Sequence, residues 1–162
     1  MLIQAKILQA TPDVKVSMVK KISTDQASPQ KFRPHGRFEY EPVDEDGTLL
    51  HVRCEGPFDA ELLTAIKDIQ QSPVLLNPCR KEIFQFSGCC IGIEEFVESA
   101  TDYVGQLKRD GRAPKAVALV MPEELQGAWM MRDTYAGIYQ RFNIPVTVVT
   151  TVTEAMQWLK DY

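Results

Sequence analysis

Residues 116–162 constrain the fold more than any other stretch of the chain. An apolar run, Ala116-Val117-Ala118-Leu119-Val120-Met121, leads into Pro122-Glu123-Glu124 and a long segment with an apolar face. A second run follows at Ile144-Pro145-Val146-Thr147-Val148-Val149, and Glu154-Ala155-Met156-Gln157-Trp158-Leu159 closes the chain. Short, nearly continuous apolar runs read as strands covered on both faces. Parallel neighbours need a crossover of a dozen or more residues, which the helical segments supply. The resulting β-α-β-α order is a statement about architecture, and no catalytic signature of comparable strength accompanies it.

Upstream the order continues. Phe38 and Tyr40 alternate with charges, Asp44-Glu45-Asp46-Gly47 makes a turn, and Leu50, Val52 and Cys54 oppose His51, Arg53 and Glu55, which predicts an antiparallel hairpin with one buried face. Asp59 is a good N-cap for a helix carrying Leu62, Leu63, Ile66 and Ile69, stopped at Ser72-Pro73. Ile83-Phe84-Gln85-Phe86 reads as a short central strand. The next helix bears Phe96, Val97, Ala100, Tyr103, Val104 and Leu107 on one stripe, with Lys108 and Arg109 in its last turn and Gly111 beyond. A third helix is expected from Pro122 to about Arg141, and Thr151 with Glu154 forms a capping box for a fourth. The whole predicts an α/β domain over residues 36–162. Its mixed five-stranded sheet, an opening antiparallel hairpin followed by parallel β-α-β units, is flanked by four helices.

Residues 1–35 form a basic extension, an extra hairpin or a flexible arm. Through Arg37 there are seven Lys/Arg and two acids, a balance of +5, against −9 beyond it. Such an arm can dock on the acidic body, on a partner or on an anionic polymer. The polar stretch Ser23–Gln30 has no interleaved aromatics, which fits a solvated lead-in and gives nucleic-acid binding no support. No apolar run approaches the roughly 18 residues of a membrane span, and the N-terminus lacks a cationic start followed by a long apolar stretch. A cytoplasmic location is therefore expected. The four cysteines, Cys54, Cys79, Cys89 and Cys90, read as reduced thiols, because their spacing suits neither a disulfide framework nor a tetrahedral metal site, and only His35 and His51 could complete a ligand set. No metal or cofactor is expected.

Two places carry candidate function. The turn Ser87-Gly88-Cys89-Cys90-Ile91-Gly92 lies where a strand meets a helix N-terminus, the usual position of a ligand crevice, so Ser87, Gly88, Cys89, Cys90 and Gly92 are its candidate lining. Glu94 and Glu95 follow at once and oppose a bound anion or a thiolate, and the glycine spacing is neither a Walker loop nor a dinucleotide fingerprint. In the third helix Trp129, Met130 and Met131 are consecutive. At 100° per residue they cannot all face one sheet, so at least one points outward, and with Tyr135 they are candidate interface residues. His51, beside Arg53 and Glu55, is read as an ion-paired surface histidine.

Taken together, Pro34-His35-Gly36-Arg37-Phe38-Glu39, Leu49-Leu50-His51-Val52-Arg53-Cys54-Glu55-Gly56-Pro57-Phe58, Ala116–Val120 and Glu154–Leu159 resemble the small bacterial SpoIIAA-like proteins with STAS/SEC14-type domains, over about residues 36–162. The resemblance implies a mixed sheet flanked by helices and a family mostly without assigned activity. Better-studied relatives, anti-sigma-factor antagonists, carry a phosphorylatable serine in an Asp-Ser-Ser-Gly turn. The matching turn here has cysteines instead, leaving Ser87 as the nearest hydroxyl. The expected function is a non-enzymatic STAS-like regulatory or protein-interaction module acting as a homodimer through the third helix. The alternatives are a SEC14-like carrier or sensor of a small apolar ligand and, from another class, a thiol-dependent enzyme using Cys89 or Cys90.

Overall fold

The computed structural model describes residues 21–162 other than 73, 74 and 76. The extra hairpin or flexible arm expected within residues 1–35 lies outside the described residues as far as residue 20, and so does Pro73 of the helix stop. Strands β1 (Ile22–Ser23), β2 (Arg37–Pro42), β3 (Leu49–Glu55), β4 (Lys81–Ser87), β5 (Val117–Val120) and β6 (Val146–Val149) alternate with helices α1 (Ala60–Ile69), α2 (Glu94–Arg109), α3 (Ala128–Gln140) and α4 (Val152–Trp158). The strands form one sheet in chain order, β1 to β6. β1–β2 and β2–β3 pair antiparallel, and the remaining pairs are parallel.

Because every parallel strand is added on the same side of its predecessor, right-handed crossovers place α1, α2 and α3 on one face of the sheet. The side-chain alternation of β5 agrees. Val117 and Leu119 join the large core with residues of α1, α2 and α3, while Ala118 and Val120 join Ile83, Ala155 and Leu159 in a smaller core beneath α4. Over β2 and β3 that second face carries charged pairs instead of a helix. Arg53 Nη1 lies 2.7 Å from Glu41 and 3.3 Å from Glu39, and Lys21 Nζ lies 3.3 Å from Glu39. Exposed pairs of this kind contribute about 0–1 kcal/mol each.

The α/β class, the antiparallel-then-parallel order and the four helices agree with the expectation. The sheet has six strands and not five, since Ile22 and Ser23 pair with Tyr40 and Glu39. Ser23–Gln30, read as a solvated lead-in, is held to the body: Thr24 Oγ1 accepts from the Phe38 N–H at 3.1 Å, the Ser28 N–H donates to Asp68 at 2.8 Å, and Gln30 donates to the Glu61 carbonyl at 3.1 Å. The third helix begins at Ala128, six residues later than Pro122. Pro122 to Leu125 is a turn closed by the Leu125 N–H on the Pro122 carbonyl at 3.1 Å, and Gly127, with φ of 87°, supplies the left-handed residue that redirects the chain into α3. The two sequence-read caps are present. Asp59 accepts from the Leu62 N–H at 2.9 Å, and Thr151 with Glu154 makes a full capping box.

Candidate functional site

The strand-to-helix turn at the C-terminal end of β4 is knitted to its neighbours by backbone hydrogen bonds. The Gly56 N–H donates to the Cys89 carbonyl at 2.8 Å, Phe58 N–H to the Ile91 carbonyl at 2.9 Å, and Cys90 N–H to the Gln126 carbonyl at 3.0 Å. These bonds join the loops after β3, β4 and β5 in one layer. Tyr135 fills the space behind it: its ring stacks on Phe86 with centroids 5.5 Å apart, and its hydroxyl donates to the Cys90 carbonyl at 2.6 Å. A Cβ on Gly92 would lie 2.7 Å from that hydroxyl, so glycine is required there by close approach. Of the turn expected to line a crevice, Cys90 and Gly92 are thus held against their neighbours by backbone pairing and by Tyr135, whereas Cys89 is half-buried and Ser87 and Gly88 are exposed.

The thiols fit this junction. Cys90 is buried, and burial, reinforced by neighbouring Cys89, pushes its pKa up to about 11, which suppresses the nucleophilic thiolate. Burial, with Glu82 nearby, raises that of Cys54 as well. Cys89 is half-buried and Cys79 exposed. Among the described residues no three His, Cys, Asp or Glu side chains gather in a metal-binding group. His51, read as ion-paired, instead donates from Nε2 to Gln85 Oε1 at 2.7 Å, and among the described residues no carboxylate forms an ion pair with it. Ser87 and Gly88 are exposed at the end of β4.

An apolar hollow lies elsewhere, between the sheet and the helices α1, α2 and α3. It is a cavity of about 80 Å³ whose walls include Phe38, Phe84, Phe86, Leu119, Ile138 and Tyr139. Polar groups reach it from four elements: Tyr40 from β2, Gln70 from the end of α1, Tyr103 from α2 and Glu82 from β4. Gln70 accepts a short hydrogen bond from the Tyr103 hydroxyl and donates to the Tyr40 hydroxyl at 3.4 Å. Glu82 is paired with Arg80 at 2.6 Å, and the two are 4% and 0% exposed. Burial, and then the Glu82 charge, pushes the Tyr103 pKa up to about 12 and raises those of Tyr40 and Tyr139 well above the usual phenol value. These phenols therefore remain neutral hydrogen-bonding groups at any physiological pH. A largely apolar hollow with a few convergent polar atoms has the make-up of a small-molecule site.

Tyr40, Gln70, Glu82 and Tyr103 were not singled out from the sequence as a site. The available signal was polarity on apolar faces: Glu82 alternates in phase with Phe84 and Phe86, and Tyr103 carries a hydroxyl within the α2 stripe. The interface candidates divide. Trp129 is 84% exposed and Met130 41%, whereas Met131 and Tyr135 turn into the core. None of the described helices is long and apolar enough to cross a membrane. No family model, no curated protein and no solved structure matches the chain.

Proposed function

We propose that the protein is a non-enzymatic, SpoIIAA-like interaction module that self-associates through the outward face of α3. The observation that carries this reading is Trp129, an indole 84% exposed at the start of the helix with Met130 next to it. A large aromatic side chain in water is the commonest type of binding anchor, and burying it against a second copy recovers on the order of 2 kcal/mol. Met130 supplies an adaptable neighbour. Sedimentation equilibrium across the micromolar range tests the reading. The mass is expected to rise from 18.3 kDa towards twice that value, with Trp129→Glu shifting the transition to at least tenfold higher concentration. A strict monomer at high micromolar concentration, identical in the variant, would overturn it.

A second reading, a carrier or sensor of a small apolar ligand, is favoured by the cavity beneath α1, α2 and α3. Its volume of about 80 Å³ is less than the roughly 150 Å³ that admits benzene in a well-studied engineered cavity, so a fatty-acyl chain exceeds the space it offers. Native mass spectrometry of freshly purified protein should show an adduct that disappears on denaturation. Its absence, together with no uptake of added small aromatics, removes this reading.

A further inference from the structure

We propose that the cavity binds a small, uncharged phenol or similar hydroxyl-bearing aromatic molecule, admitted between α1 and α2 through a latch made by Tyr103 and Gln70. The proposal rests on the ligand-binding reading above and adds the entrance and the ligand class. Gln70, Tyr103 and Leu107 line the cavity on its inner side and a polar surface groove on its outer side, so the same side chains separate ligand space from solvent. The two polar side chains are tied together by a hydrogen bond from the Tyr103 hydroxyl to the Gln70 carboxamide oxygen. Tyr103 is half-buried, and Lys67 Nζ lies 5.5 Å from its ring centre on the groove side. A ring rotated outward keeps a cation against its face, which lowers the cost of opening.

The latch also identifies what can replace it. The group that now satisfies Gln70 Oε1 is a phenol hydroxyl on an aromatic ring, and an incoming phenol donates to the same oxygen while its ring lies among Phe84, Ile138 and Tyr139. An anionic ligand is disfavoured. Glu82 stands in the cavity wall, and the cation paired with it, Arg80, is committed to it at 2.6 Å and to the Arg112 carbonyl at 2.6 Å. Size calls for the same movement, since a cavity of about 80 Å³ is smaller than one that holds a benzene ring, and displacement of Tyr103 provides the remaining volume.

Titration of the isotope-labelled full chain with 4-methylphenol, followed by NMR, tests this. Saturable shifts are expected at Gln70, Phe84 and Ile138 and not at Trp129. Tyr103→Phe, which keeps the ring but removes the latching hydroxyl, is expected to bind about fivefold tighter, because the closed state no longer competes as well. Ala100→Leu, which fills the cavity from α2, is expected to bind at least tenfold more weakly. If wild type and Tyr103→Phe bind in the cavity with equal affinity, the latch is overturned and the ligand reading stands. If neither shows cavity shifts up to millimolar probe, or the shifts map to Trp129, both fall; this pair decides the matter even if Ala100→Leu does not fold.

Discussion

Arg80 is the largest of the fully buried side chains among the described residues, and its Nε and Nη1 are both hydrogen-bonded. Nε binds Glu82 at 2.6 Å, and Nη1 donates to the carbonyls of Asn77 at 3.1 Å and Arg112 at 2.6 Å. Taking both charges out of water costs much of what their attraction returns, so the pair tethers the start of β4 more than it stabilises the fold. Removing one partner is a different matter, because the other is left charged and buried. Arg80→Met alone is expected to lower unfolding stability by about 3–5 kcal/mol, and adding Glu82→Leu to restore most of that loss. Urea denaturation of the two variants checks it, and a single-variant loss below about 1 kcal/mol would show the pair to be hydrated. The inward phase of Glu82 is legible in its alternation with Phe84 and Phe86, but the closing of the Asn77 and Arg112 carbonyls over the guanidinium is not, because Arg112 meets Arg80 only after folding.

At the scale of elements, local rules predicted the starts of α1 and α4 correctly because each rests on one side-chain cap close in sequence. The start of α3 was misplaced for the opposite reason. Pro122 followed by two glutamates is a favourable first turn of a helix, yet Gln126 is drawn into pairing with Cys89 and its carbonyl accepts from the Cys90 N–H at 3.0 Å. Tertiary pairing thus overrides local propensity until Gly127. At that glycine φ is 87° and a Cβ would sit 2.4 Å from Ile91 Cγ1. Gly127→Ala is therefore expected to cost about 1–3 kcal/mol, through left-handed backbone strain and displacement of Ile91. Thermal unfolding of the variant measures it, and an unchanged midpoint would mean that the turn can re-form with another dihedral. β1, with two residues, is too short for any periodicity to reveal; only its partners Tyr40 and Glu39 mark it as a strand.

For the molecule as a whole, the order and direction of β2 to β6 were legible because alternation and run length are properties of each segment. The cavity was not, since its polar atoms come from residues 40, 70, 82 and 103 and meet only after folding. Global acid sensitivity follows from carboxylates set in such assembled positions. Burial works against ionisation of Asp59, but the His35 ring at 2.6 Å and the N–H groups of His35 and Leu62 at 2.9 Å outweigh it and hold the carboxyl below its usual range. Asp44 behaves likewise: burial opposes ionisation, and Thr48 with the N–H groups of Thr48 and Leu49 prevails. A carboxyl depressed in the folded state contributes stability that is present above its unfolded pKa and lost as pH falls through the folded one. The melting temperature should thus be level from neutrality to about pH 5 and fall below that, with a shallower fall in Asp59→Asn. An identical slope in that variant would show Asp59 to be uncoupled from folding. The sheet's two coverings, three helices on one side and a seven-residue helix on the other, have a further consequence. Shedding α4 would leave the principal interior sealed while stripping Ile83, Ala118 and Val120 bare beside a charged tabletop, so a chain clipped before Val152 should precipitate while still folded.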